Sequence, residues 1–468
     1  MKTNNILFLA QQLYRSCCTL LLLLLLMSGS SCDDFVTVSL PNSQLTGTTV
    51  FESSLTANAA IAQVYIQLRD AGILTGLSTG SPSTLALYAD ETQDYTTGLT
   101  LPTYQNALTA DNATVASLWN ISYSQIYKAN SILEGVTNST ALPETTRSQL
   151  KGEALFIRAL VHFYLGNIYG AVPYVTKTDY EINRHLPRVP LQEVYKAVAQ
   201  DLEAATFLIA EDYSTPERVR PNKMTVQALL ARTYLYMGLN AEASNAASAV
   251  LNSSLYVWEP NLDKIFLKNS TTTIWQFAPP SSGRNSYEGG TFIFVSGPPP
   301  STALRNDFIA SFELGDQRKT SWTKAVLKGS STWYHSFKYK QRSTTASSQE
   351  YSIVFRLAEQ YLIRAEARAK QGDLIGAKED LNKIRNTAGL SNTTAVTEST
   401  LLDEVIKQRR FEFFTEYGHR FFDLKRSGTI NAVLSVSKPG WNATDVLWPI
   451  PINELNANPN LLPQNLGY

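Results

Sequence analysis

The chain has 468 residues, with 40 Lys and Arg set against 40 Asp and Glu, and three cysteines. That balance argues against a nucleic-acid binder and against a polybasic membrane patch, both of which need concentrated positive charge. With 44% hydrophobic residues, the length is enough for a large core in one extended domain or two lobes.

The first expected element is a leader. Lys2 and Arg15 give a weakly basic start, Leu20 to Leu26 is an unbroken leucine run, and small residues follow at Gly29-Ser30-Ser31. The apolar block ending at Met27 is shorter than the roughly 20 residues a bilayer span needs, so the pattern predicts a secretory signal peptide over residues 1–31. Cys17 and Cys18 fall inside it, leaving Cys32 as the one cysteine of a mature chain of 437 residues with no internal disulfide. Without Lys2 and Arg15 the charges stand at 38 basic to 40 acidic. Cys32 just after small residues resembles the lipobox of bacterial lipoproteins, although those usually carry Leu or a similar residue where Gly29 sits. The resemblance implies a lipidated Cys32, with ordinary signal-peptidase cleavage as the alternative. Several acyl chains, at about 0.8 kcal/mol per buried methylene, would hold firmly to a membrane. Asp33-Asp34 resembles the surface-export signal of lipoproteins in the Bacteroidota; a solvated linker is its other reading.

Helical periodicity then dominates two blocks. The first holds Leu55–Arg69, Ala116–Leu133, Glu144–Tyr169, Leu191–Ile209, Lys223–Met237 and Ala241–Leu251; the second holds Arg356–Lys370, Leu374–Thr387 and Thr400–Tyr417. Gly238 and Gly372 each close a helix before an alanine-rich partner begins. Ala231, Gly238, Ala243, Ala247 and Val250 recur 134 residues later as Ala365, Gly372, Ala377, Leu381 and Ile384. Small residues at matching points let the helices of a hairpin approach closely, which is the logic of the tetratricopeptide repeat, here not in tandem.

Between the blocks, residues 252–350 are rich in Ser, Thr, Gly and Pro, yet they hold Trp258, Trp275, Trp322 and Trp333, four of the seven tryptophans. Such aromatic density is wrong for a disordered linker. It predicts an irregular lobe of loops and short strands, with Thr273–Phe277 and Thr291–Val295 as strands, packed on a helical frame where binding residues are usually carried.

Motifs for catalysis are weak. Gly76-Leu-Ser78-Thr-Gly80 spells a nucleophile elbow but lacks a clear strand before it, and Pro82 follows closely, so a glycine-rich loop is the better reading. No H-E-x-x-H, paired C-x-x-C or Walker loop occurs. His162, His185, His335 and His419 are scattered, and His162 and His419 read as structural. Asp90, Glu91 and Asp94 form an acidic cluster that could serve as acid and base groups, calcium ligands or acceptors for sugar hydroxyls, or simply cap and solvate a loop. No cofactor is expected, and no ligand spacing is regular enough to predict a structural calcium. Tyr and Trp offer apolar platforms with polar edges to the C–H faces of sugars. Trp333-Tyr334, Tyr287 beside Arg284 and Asn285, and Tyr104 near Asn106 have that composition, with core packing as the competing role. No concentrated Lys/Arg cluster stands out that would favour a strongly acidic polysaccharide.

Three stretches together resemble the SusD/RagB family of surface nutrient-binding lipoproteins. They are Lys151-Gly-Glu-Ala-Leu-Phe-Ile-Arg158 running on to Tyr169-Gly-Ala-Val-Pro173, Arg409-Arg-Phe-Glu-Phe-Phe-Thr-Glu-Tyr-Gly-His-Arg420 continuing to Arg426, and Leu447-Trp-Pro-Ile-Pro-Ile-Asn-Glu454 with the tail Gln464-Asn-Leu-Gly-Tyr468. Cys32-Asp-Asp-Phe and Gln44-Leu-Thr also fit. Physically all three mark scaffold. Ile406, Arg410, Phe413, Phe414 and Tyr417 predict a buried helix reaching Gly418 whose charges pair inside the fold, and Pro449 and Pro451 predict an extended tail.

The resemblance implies a mainly α fold, a SusD-like α-α superhelix of tetratricopeptide-like helical hairpins, with an irregular loop-rich lobe inserted between repeats. Its SusD-like domain would span 32–468: an N-terminal helical part at 32–251, the aromatic-rich lobe at 252–350, and the C-terminal hairpin, family motif and tail at 351–468. It implies a surface-exposed, lipid-anchored protein of the cell outer membrane that binds an oligosaccharide or polysaccharide and delivers it to a SusC-like TonB-dependent barrel, without catalysis. By region, it implies ligand contacts at Asp90, Tyr95, Tyr104 and Asn106, then Tyr287, Trp333 and Tyr334. A peptide-binding member of the same family, a helical-repeat interaction scaffold and a surface glycoside hydrolase are the alternatives.

Overall fold

The computed structural model describes Tyr14, residues 49–98 and residues 101–468. The leucine run, Cys32, Asp33-Asp34 and Gln44-Leu-Thr lie outside the described residues.

Within the unit Val50–Tyr468, the helical frame follows the sequence periodicity closely. Helices α1 (Ser54–Asp70), α2 (Ser81–Tyr88), α3 (Ala113–Asn138), α4 (Glu144–Tyr169), α5 (Leu191–Leu208), α6 (Lys223–Met237) and α7 (Asn240–Leu251) precede the lobe. Helices α8 (Leu357–Lys370), α9 (Leu374–Thr387), α10 (Glu398–Phe413) and α11 (His419–Arg426) follow it. Several of their starts are chemically marked. The Ser53 side chain accepts from the Thr56 amide, Asn112 from Thr114 and Val115, and Asn222/Thr225 and Thr397/Thr400 form capping boxes. Gly238 adopts the left-handed conformation that ends α6, as its position predicts.

From α3 to α9 each helix packs on the next, α7 joining the first block to α8 of the second. Ala231, Leu235, Ala243 and Ala247 meet Ile363 and Ala367 across that joint, and Ala365, Ala377, Leu381 and Ile384 fill the following layer. The small residues of the repeat are therefore where the hairpins come closest.

The lobe between α7 and α8 carries two small sheets, one of them completed by a strand from the turn after α2. Strands β1 (Thr92–Asp94), β3 (Thr302–Leu304), β4 (Thr323–Lys328) and β5 (Ser331–Ser336) form an antiparallel sheet in the order β1-β3-β5-β4, while β2 (Thr273–Phe277) pairs with β6 (Ser352–Arg356). Three expectations differ. Thr291–Val295 is no strand: a short helix, Tyr287–Phe292, capped by Ser286, takes its first two residues and irregular chain the rest. The β-branched and aromatic residues there suggested a strand, and a local side-chain cap decided otherwise. Helix α10 stops at Phe413, short of Gly418, because Thr415 and Tyr417 take positive φ angles. The tail is extended only to Pro451, which opens the short helix Ile452–Ala457; proline blocks a helix interior but not its first turn.

The buried charges of the first two family-like stretches do pair inside. Glu153 binds Arg220 and accepts the Tyr65 hydroxyl, and Arg158 binds Asp201 through two bonds of 2.6 and 2.7 Å. Arg409 binds Asp423. Glu412 and Glu416 meet Arg356, with Arg318 and Lys338 completing the group. The tail closes on the end of α4: Asn465 donates to the carbonyls of Tyr169 and Trp448 at 2.8 and 2.7 Å.

Candidate functional site

The acidic turn after α2 is built for structure. Asp90 is buried, with Arg420 on both carboxylate oxygens at 2.7 and 2.8 Å and Arg410 at 3.0 Å. Burial alone would raise its pKa, but Arg420 and then Arg410 hold it down at about 2. The acceptor sites of Asp90, expected from sequence to meet a ligand, are taken up by the scaffold. Glu91 is buried beside it, accepts from the Thr415 amide, and is pushed up to about 8 by burial. Asn106 is also scaffold. It is buried in the left-handed conformation, and its amide donates to the Tyr88 carbonyl at 2.9 Å. Asp94 accepts from the amides of Thr96 and Leu101, clamping the turn that carries Tyr95.

Three of the aromatics foreseen from sequence converge. The Tyr95 amide donates to Ser301 at the head of β3 at 2.6 Å, which fixes the turn against the lobe. Its phenol is half-buried. Burial raises its pKa, and the neighbours acting on it are the Trp333 indole, which lowers it, and Tyr104. Tyr104 stands on the turn Pro102–Gln105, with the Lys438 ammonium 4.1 Å from its ring centroid. Lys438 is itself buried and drawn down to about 7, first by burial and then by Arg305. Trp333 lies on β5 with its six-membered ring against Gly297, where a Cβ would enter the ring. Tyr334 is the next residue on the strand and faces the opposite side. There it packs, half-buried, on the cluster that contains Phe308, Phe312 and Trp322.

Tyr287 lies apart from that trio, on the rim of an open groove of about 800 Å³. Its hydroxyl donates to Asp70 at 2.7 Å, and Asp70 is held by Arg69. The groove is walled by Arg284, Asn285, Arg342, Ser343 and Thr344, and Ser301 also lines it. Ser301 thus touches both the groove and the backbone of Tyr95. Sequence reasoning missed Arg342, Ser301, Gly297 and Lys438, because nothing local marks residues that only the lobe's topology unites.

Groups that could have signalled catalysis are placed otherwise. Ser78 is exposed in a turn with no strand before it, so the geometry of an elbow is missing there. His162 is fully buried, bonded to the Arg158 carbonyl and the Val175 amide and stacked on Tyr174 at 4.0 Å. His419 is buried against Arg409 and Phe413. Among the described residues, no group of three or more His, Cys, Asp or Glu could hold a metal ion, and no helix is long and apolar enough to cross a membrane.

A stack of helical hairpins that holds an aromatic cluster and an open polar groove on an inserted lobe defines a helical-repeat binding protein. Two family profiles match the sequence: one described as starch-binding associating with outer membrane over residues 38–235, and one described as the SusD family over residues 308–468. The chain belongs to the SusD family. A SusD-like protein, P2, of Formosa agariphila is 27% identical over 76% of this chain and 81% of its own length. The starch-binding protein SusD of Bacteroides thetaiotaomicron is 41% identical over a shorter stretch, 25% of this chain and 21% of its own. Among solved structures, a SusD-like carbohydrate-binding protein from Bacteroides fragilis superposes with a TM-score of 0.76 at 21% identity, covering 88% of this chain and 100% of that one. A laminarin-binding SusD-like protein gives a TM-score of 0.73 at 21% identity, over 88% of this chain and 99% of that one. At the level of the family, SusD proteins bind carbohydrate and associate with the outer membrane.

Proposed function

We propose that the protein is a cell-surface lipoprotein, anchored through acylated Cys32, that binds an oligosaccharide or polysaccharide and delivers it to a SusC-like TonB-dependent outer-membrane barrel. The observation that carries the reading is that half-buried Tyr95 has Trp333 and Tyr104, from two other segments, as neighbours, and is tied through its amide to Ser301 in the wall of an open groove. Flat aromatic faces desolvate the C–H faces of sugars, and the groove's Ser, Thr, Asn and Arg groups can satisfy hydroxyls. Relatives named for binding starch and laminarin support the ligand class. The protein acts as a binder that leaves its ligand intact. Two carboxylates close to Tyr95 in sequence are engaged elsewhere, Asp90 with two arginines and Asp94 with two backbone amides, which favours binding over the facing carboxylate pair, about 5–10 Å apart, of a glycoside hydrolase.

Affinity electrophoresis against purified plant, host and microbial polysaccharides tests the proposal, with oligopeptides titrated by calorimetry alongside. Retardation by one glycan class that Trp333→Ala and Tyr104→Ala each weaken and together abolish is the expected result. Heat from a peptide with silence from every glycan would move the protein to peptide capture, and release of reducing ends would make it a hydrolase.

A further inference from the structure

Arg284 and Arg342 are 58 positions apart in sequence and stand on one groove. The segments that carry them are zipped together. The Thr345 amide donates to the Gly283 carbonyl at 2.8 Å, the Asn285 side chain donates to Ser343 and Thr345 at 3.0 Å, and its oxygen accepts from the amides of Gln349 and Glu350. Gly283 allows this closeness: its φ is +78°, and a Cβ there would stand 2.6 Å from the Thr345 carbonyl oxygen. The two guanidinium groups are thus carried on an ordered double loop. Both are exposed, and neither has a hydrogen-bond or ion-pair partner among the described residues. The rest of the groove wall is Ser, Thr, Asn, Tyr, Pro, Leu and Gly, with no Asp or Glu. The nearby Asp70 carboxylate is already neutralised by Arg69 through two bonds of 2.6 Å.

This arrangement departs from the rest of the fold, where Arg158, Arg232, Arg318, Arg356 and Arg420 are each matched to a carboxylate. Two unmatched guanidiniums, on a groove of about 800 Å³ free of acids, set up a positive potential that low-dielectric walls concentrate. Guanidinium is planar and presents paired N–H donors at the spacing of carboxylate or sulfate oxygens, so it recognises those groups with direction as well as charge.

We infer that the groove holding Arg284 and Arg342 takes a negatively charged stretch of glycan, carrying uronate carboxylates or sulfate esters, while Tyr95, Tyr104 and Trp333 hold a neighbouring sugar across Ser301. The inference rests on the glycan-binding reading above and names the chemical class of the ligand. It also explains why the sequence showed no basic cluster: the overall charge is balanced, and the selective charge exists only after the 283–285 and 343–345 segments are brought together.

The test is a binding panel on the whole chain purified in detergent. Acidic probes are polygalacturonate, alginate and chondroitin sulfate; neutral probes are soluble starch, laminarin and xylan. Wild type, Arg284→Gln, Arg342→Gln and the double variant are compared at low and moderate salt, with a thermal melt of each. The substitutions should fold, since neither side chain is partnered. The expected result is retention by at least one acidic probe that weakens with salt. Each single change should weaken it by about two- to five-fold and the double change by more, the range for exposed charge pairs. Binding confined to neutral probes, or acidic binding untouched by the double variant, overturns the inference and leaves the glycan-binding reading standing. Silence from all six probes, with heat from a peptide, overturns both.

Discussion

In the helical frame, Arg158, Arg232 and Arg420 each lie buried against a carboxylate, and Trp448 of the closing tail is fully enclosed. Along one edge of the inserted lobe, Arg284 and Arg342 meet no carboxylate among the described residues, and Tyr95, Tyr104 and Trp333 are half-buried. The residue types are the same, and what differs is whether the fold consumes their bonding capacity. Asp90 and Tyr95, five positions apart, fall on opposite sides of that division. The lesson is that residue type nominates a binding residue, while the partners it already has decide whether it can be one.

The comparison is broken most severely by Asp90→Ala. It leaves Arg420 and much of Arg410 as buried, unpaired cations, a loss of about 3–5 kcal/mol. Chemical unfolding should show that loss, while glycan affinity measured where the variant is still folded should be unchanged. Acid probes the same side of the division. Asp90 and Glu366 are both buried, and arginine pairing holds both down at about 2. An acid whose folded pKa is depressed stabilises above its unfolded pKa, near 4, and that contribution is lost as pH falls towards 2. Melting temperature should therefore drop across that window, with each group contributing on the order of 2 kcal/mol.

On the lobe's side the effects are smaller and appear in binding. Trp333→Ala should weaken glycan affinity by about 1 kcal/mol in a calorimetric titration, the scale of one aromatic contact. Gly297→Ala should do less: the new methyl displaces the Trp333 ring from its seat without removing it. Affinity that falls equally in Asp90→Ala and Trp333→Ala would erase the distinction between the two regions.

Much of the frame was legible in sequence because its signals are local. Glu144–Tyr169, Lys223–Met237 and Leu374–Thr387 fall where the apolar period and their caps place them, and the spaced alanines and Gly238 mark a hairpin contact that the structure contains. The internal pairing of the Arg409–Arg426 charges could also be foreseen, since buried charges need partners. The partners themselves could not: Arg420 and Asp90 are 330 positions apart. For the same reason the sequence could not show that Asp90 would be bound by two arginines and Tyr334 packed into the lobe's core, while Tyr95 would lie beside Trp333. Composition offered all four, and only the pairing of β1 with β3 and β3 with β5 sorts them. The short helix at Tyr287–Phe292 was hidden by its strand-like residues, and its cap, Ser286, is one residue in a stretch full of serines.

The central claim is that the convergent aromatics bind and the buried charges only hold the fold. Its most direct test is affinity electrophoresis of the Trp333→Ala/Tyr104→Ala double variant in the glycan that retards the wild type, with thermal unfolding followed on the same preparation. The account predicts lost retardation in a protein that still unfolds cooperatively. Undiminished retardation would contradict it and place the ligand elsewhere on the molecule.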